Sequence, residues 1–122
     1  MASVINDPLV TKWLDALKAI PGFASLHYEI PDPADPEASE VTGGSYARSS
    51  LKWDYVDNST RALWNIEDLA WLNLETVTIV AVGVWDDPTK GKLLLWAVLD
   101  EPIPIADRGS YQVGAHQLFV TL

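Results

Sequence analysis

There is no cysteine among the 122 residues, so disulfides and thiolate metal sites are excluded. Basic residues are also few: 8 Lys and Arg stand against 17 Asp and Glu, for a net charge of −9. Binding a phosphate backbone needs the opposite balance, so nucleic acid is not an expected partner. Long apolar runs are missing as well. The longest, Ile79–Trp85 and Leu93–Leu99, fall far short of the ~20 residues of a membrane span, and no membrane partner is expected. The opening MASVINDP has neither a basic stretch nor an apolar run, so no signal peptide is read there.

What is present describes a folded chain. Hydrophobic residues make up 48 %, too many for disorder. A length of 122 residues suits one domain that buries about two-thirds of its surface. The expectation is a soluble, acidic, single domain, with residues 1–22 as a helix and lead-in and 23–122 as a β-sandwich. Six tryptophans (Trp13, Trp53, Trp64, Trp71, Trp85, Trp96) are many for this size. Trp is enriched both in cores and at interfaces, so the six are read either as a Trp-rich core or, in part, as anchors of subunit contacts.

The first segment reads as a helix over Pro8–Ile20. Asn6 or Asp7 can cap it, and Pro8 suits its first turn. Leu9, Val10, Trp13, Leu14, Leu17 and Ile20 recur with a period near 3.6, and Pro21-Gly22 ends it. So short a helix must dock on something, either its own domain or a neighbouring chain.

Ala24–Ile30 reads as a short strand. Pro31–Glu40 carries three prolines and four acids, which predicts an exposed, extended loop. Its carboxylates suggest Ca²⁺ as an alternative, but their spacing does not fit an EF-hand. Later segments read as strands: Ser45–Trp53, Arg61–Ile66, Thr76–Trp85, Lys92–Leu99, Ile103–Ile105, Ser110–Val113 and Gln117–Leu122. Glu67–Glu75 is open between a helical turn and a loop. Thr76–Trp85, nearly all β-branched or aromatic, predicts a central strand covered on both faces. Asp86–Gly91 reads as a hairpin loop, and Asp100-Glu101-Pro102 as a turn. The sum is an antiparallel β-sandwich, or small barrel, of seven to eight short strands behind one N-terminal helix.

Few residues in the sequence suggest chemistry. His27 and His116 stand alone, with no ligand or base partner at motif spacing. No Ser lies in a nucleophile elbow, and no Gly-rich loop carries the Lys-Ser/Thr of a phosphate loop. Asp86/Asp87 and Glu67/Asp68 are adjacent acids, and adjacency alone does not make a glycosidase pair. No catalytic residue, metal or cofactor is expected. Exposed aromatics keep carbohydrate binding open as an alternative.

Several short motifs, in order, carry a resemblance. They are Gly43-Gly44-Ser45-Tyr46-Ala47-Arg48, then Trp71, then Val82-Gly83-Val84-Trp85-Asp86. Gly91-Lys92-Leu93-Leu94-Leu95-Trp96 follows, then Leu99 with Glu101-Pro102, then Asp107–Val113 and the closing Gly114–Leu122. Over Thr42–Leu122 the chain resembles small phage virion proteins of the tail-fibre or minor-tail type, with a β-sandwich domain. Asp107-Arg108-Gly109 stands where that family usually has Gly-Asp. The resemblance implies a non-enzymatic virion protein, made in the bacterial cytoplasm, that assembles with itself as a homo-oligomer and with other phage virion proteins. It implies no cofactor. Capsid decoration and receptor binding are its alternatives. The residues expected to make interfaces are Trp13, Leu17, Trp71, Trp85 and Trp96, on the helix and around the hairpin.

Overall fold

The computed structural model describes all 122 residues, Met1–Leu122. Helix α1 spans Asp7–Ala19, one residue earlier at each end than the periodicity predicts. Asn6 is the cap: its side-chain oxygen accepts from the Asp7 N–H at 3.0 Å. Lys18 sits in the last turn, where a cation suits the helix dipole. The helix ends because Ile20 is already extended before Pro21. Val10 and Leu14 bury against strand residues, so α1 docks on its own domain.

Nine strands follow: β1 Gly22–His27, β2 Ser49–Leu51, β3 Trp53–Tyr55, β4 Ala62–Asn65, β5 Leu69–Leu74, β6 Val77–Trp85, β7 Leu93–Ile105, β8 Gly109–Val113 and β9 Phe119–Thr121. They form three antiparallel sheets in the orders β2-β1-β6-β7, β3-β4-β9 and β5-β8. The fold is mainly β with one N-terminal helix, a sandwich-like arrangement as expected. Ala24, Leu26, Ile79, Val82 and Val84 of the four-stranded sheet share one buried cluster with Trp53, Leu63, Leu69, Trp71, Leu74 and Leu118 from the other sheets.

β6 is the central strand that its composition predicts, hydrogen-bonded to β1 and β7. Four readings need correction. Ser45–Trp53 is not one strand: β2 and β3 divide it between two sheets, and Ser45–Arg48 lies outside both. Glu67–Glu75 contains strand β5, paired with β8. Its alternation is hidden by a register shift between Trp71 and Leu74, where Asn73 takes φ +54°. Asp100-Glu101-Pro102 is not a turn. β7 continues through it for 13 residues as a bulge, with four of its residues opposite the single Val80 between the pairs Ala81↔Val98 and Ile79↔Ile103. An edge strand tolerates this, because Pro102 there has no ladder donor to lose. The acidic loop is exposed only in part: Pro31 and Ser39 are buried, and a 3₁₀ turn over Pro36–Ser39 folds its end back toward β1.

Candidate functional site

The segment after β1 crosses the outer face of the four-stranded sheet and is fastened there by polar side chains. Alternation along β1 puts Ser25 and His27 on that face, opposite Gly83 and Ala81 of β6. Both are fully buried. His27 Nε2 lies 2.6 Å from Ser25 Oγ, and its Nδ1 lies 2.9 Å from Ser39 Oγ. Trp85 Nε1 donates to Ser25 Oγ at 2.8 Å. Only Gly83 leaves room for this chain: a Cβ there would sit 2.6 Å from Ser25 Oγ and 2.8 Å from His27 Nε2. Burial pulls the His27 pKa from 6.5 to about 4, and Arg48 adds to that, while Glu40 opposes it. The neutral ring gives one donor and one acceptor to its two serines.

Beside it lies a second cluster. Arg48 Nε donates to Glu40 Oε2 at 3.0 Å, and its Nη2 donates to Glu40 Oε1 at 2.8 Å, a bidentate pair. Nη1 donates to the carbonyls of Asp87 and Lys90 at 2.9 and 2.7 Å. The guanidinium lies 3.8 Å from the Trp85 ring centroid. Tyr46 Oη donates to Glu40 Oε2 at 2.6 Å and accepts from the Leu26 N–H at 3.1 Å. Burial raises the Tyr46 phenol far above its usual range, and the Glu40 bond adds to this. So one arginine ties the 40–48 segment to the β6–β7 hairpin loop. No cavity opens onto Ser25, His27 or Ser39. The arrangement holds a loop in place and gives a substrate no path to the histidine. The loop's carboxylates do not converge into a metal-ligating group.

The five residues expected at interfaces divide. Trp85 and Trp71 are 1 % and 2 % exposed, which corrects their assignment to a contact surface. Trp85 is held by Ser25 and Arg48, and Trp71 stacks on Tyr111 with 6.1 Å between centroids. A count of tryptophans does not say which face each one takes. Trp13 and Trp96 do lie at the surface, 47 % and 39 % exposed, and Leu17 is half-buried. They occupy two separate areas. Trp13 shares the outside of α1 with Leu9. Polar ties hold the helix to β3 and its neighbours. Lys18 Nζ meets Asp54 Oδ1 at 3.1 Å, and Arg61 pairs with Asp7. Tyr55 Oη donates to Asp15 at 2.5 Å, which pushes the Tyr55 pKa up to about 12. Trp96 lies on β7 between exposed Leu94 and Val98. It borders a shallow pocket of about 370 Å³ that Pro33 and Pro36 of the acidic loop also line.

Sequence reasoning missed the Glu40–Tyr46–Arg48 cluster, although Tyr46-Ala47-Arg48 figures in the resemblance. It also missed a surface aromatic group. Trp64 stacks on His116 at 3.8 Å, with Phe119 at 5.9 Å. One signal was available for the first of these: Arg48 is the only Lys or Arg between Lys18 and Lys52, a stretch that carries five acids.

Comparison with known families decides the membership. The family described as Podophage GP4 fiber I protein gp80 matches residues 19–121, from the end of α1 through β9. The chain belongs to this family. The match takes in every strand of the fibre-family chain, both buried polar clusters and the Trp96 edge, while most of α1 precedes it. It starts well before Thr42, where the resemblance in the motifs begins. No curated protein matches the chain. No helix is long and apolar enough to cross a membrane.

Proposed function

We propose that this protein is a non-enzymatic structural component of a phage tail fibre, acting in the virion through contacts with its own copies and with other virion proteins. Membership of a phage fibre family over residues 19–121 carries the reading. The surface supports it. Trp13 with Leu9, and Trp96 with Leu94 and Val98, are large apolar side chains left in solvent, the kind that anchor interfaces. A net charge of −9 keeps free copies apart until geometry brings partners together. The buried His27 and Tyr46, whose ionisation is shifted, are spent on fixing a loop.

The test is to tag the protein in the phage that encodes it and to image labelled particles. Label at the tail fibres, with incomplete fibres when the gene is deleted, is the expected result. Label on the head shell would make it a capsid decoration protein, and its absence from particles would overturn the reading altogether. A second reading, receptor-glycan binding from the fibre, is favoured by half-buried Trp64 beside exposed His116 and Phe119, since aromatic rings at a surface stack on sugars. A glycan array with Trp fluorescence as readout tests it, and quenching lost on Trp64→Ala would support it.

A further inference from the structure

A strand edge presents unpaired N–H and C=O groups, and β proteins usually keep their edges short or blocked. Here the outer strands β2, β3 and β9 have three residues each. The two-stranded sheet has edges of six and five residues in β5 and β8, and the longest edge strand is β7. It ends the four-stranded sheet with 13 residues, and no backbone hydrogen bond from a loop reaches it. Leu93–Leu99 contains no charge, so nothing on this stretch repels another strand. Exposed Leu94, Trp96 and Val98 alternate with half-buried neighbours, of which Leu95, Ala97 and Leu99 pack on the core. An open groove of about 430 Å³ runs between Ala97–Asp100 and β8, so the core is incompletely covered along this flank.

Charges stand at the two ends of the apolar stretch. Lys92 precedes it and Asp100 follows it, both exposed, and neither belongs to an ion pair within the chain. We propose that two copies of this chain join antiparallel along their β7 edges, about a two-fold axis at Trp96, with each Lys92 against the partner's Asp100. The proposal rests on the assembly reading above and names its contact.

The pattern of the strand selects the register. With the axis at Trp96, Leu94 opposes the partner's Val98 and Leu95 the partner's Ala97. Leu93 opposes the partner's Leu99, and the charges meet at both ends. Moving the axis to Leu95 sets Lys92 against the partner's Val98. Moving it to Ala97 sets Asp100 against the partner's Leu94. Either shift leaves a charge facing an apolar residue. The pairing of β7 with β6 shifts between Leu93 and Leu95 and again after Val98, so the regular ladder is confined to Leu95–Val98 around the proposed axis, which leaves little straight edge for longer mispairings. The partner's half-buried leucines would also close the open groove.

The chain has no cysteine, so a single introduced thiol reports directly. In the full-length protein, Trp96→Cys opposes itself across the axis and is expected to give a disulfide-linked dimer under mild oxidation. Trp13→Cys, the control on α1, is expected to give none. In sedimentation, Lys92→Glu and Asp100→Lys should each raise the dimer dissociation constant about tenfold, and the two together in one chain should restore it. A chain that is monomeric at high concentration, cross-linking that favours Trp13→Cys, or a double variant no better than the singles would each overturn the proposal. A monomer that still enters tail fibres sinks the two-fold contact alone. A dimer absent from particles sinks the fibre reading alone.

Discussion

Arg48→Ala tests the physical account of the fold at its most concentrated point. The side chain is 3 % exposed, and it holds a Glu40 carboxylate that is 12 % exposed. Removing the guanidinium leaves that carboxylate with the Tyr46 hydroxyl as its remaining side-chain donor. Breaking a buried pair by deleting one partner costs about 3–5 kcal/mol. The freed carbonyls of Asp87 and Lys90 add little, since both residues reach solvent. A domain of this kind has about 5–15 kcal/mol in total, so the variant should lose a large fraction of its stability and about 10–20 °C of melting temperature. Arg48→Lys keeps the charge, but one ammonium cannot serve both Glu40 oxygens and two carbonyls while stacking on Trp85; about 2 kcal/mol of loss is expected. Glu40→Gln with Arg48→Ala removes the pair as a unit and should cost clearly less than the sum of Glu40→Gln and Arg48→Ala made singly. Urea unfolding followed by Trp fluorescence reads all four proteins, with the m-value as the check that the end states are unchanged. If Arg48→Ala costs less than about 1 kcal/mol, or if the two sites prove additive within about 0.5 kcal/mol, the cluster is not the fastener described here.

Trp85→Phe loses a buried N–H bond to Ser25, whereas the Trp71 N–H has no partner in the protein; Trp85→Phe should therefore cost at least about 1 kcal/mol more than Trp71→Phe, and equal costs in chemical denaturation would contradict the assignment. His27 is held neutral in the fold, with its pKa lowered from 6.5 to about 4. The unfolded chain thus binds the extra proton first: the contribution is whole above pH ~6.5, falls as pH drops toward ~4, and amounts to about 3 kcal/mol. NMR titration should find the His27 ring neutral at pH 5, and a ring half-protonated near pH 6.5 would refute this. Gly83→Ala should destabilise by about 1–3 kcal/mol, because the new methyl overlaps Ser25 Oγ and His27 Nε2, and unchanged thermal melting would count against that close approach. Trp13→Ala should reduce assembly into particles more than stability while leaving the β7 dimer intact, since the ring is 47 % exposed; an unfolded monomer whose folded fraction assembles normally would place that ring in the core.

How much of this is visible in the sequence depends on how local the cause is. α1 is legible because Asn6, Pro8 and the spacing of Val10 and Leu14 act within a few residues of each other. β6 is legible because a strand covered on both faces has no polar face to disguise it. β5 is not, because its bulge at Asn73 breaks the alternation that defines a half-buried strand. The Glu40–Arg48–Trp85 cluster is hidden for a different reason. Arg48 reaches carbonyls 39 and 42 positions along the chain, and no periodicity encodes such a meeting. The same holds for the tryptophans. Trp85 and Trp96 both sit in apolar strand segments, and only the sheet order shows that one lies under the crossing loop and the other on an edge strand.

That sheet order also connects the two halves of the functional argument. β7 cannot be both a free edge and a loose one if it is to join copies in a single register, because ordering a mobile strand on contact would cost much of the affinity gained. The chain meets this requirement from the outer face of the sheet. Arg48 grips the hairpin loop at Asp87 and Lys90, just before β7 begins, and Asp86 accepts from the Lys92 N–H at 2.7 Å. The start of β7 is therefore held by a buried ion pair that belongs to the loop crossing the same outer face on which Trp96 lies. On the proposed reading, the polar cluster and the apolar edge form one device: the first fixes where the strand begins, and the second, rigid and uncharged between Lys92 and Asp100, is what a second copy would meet.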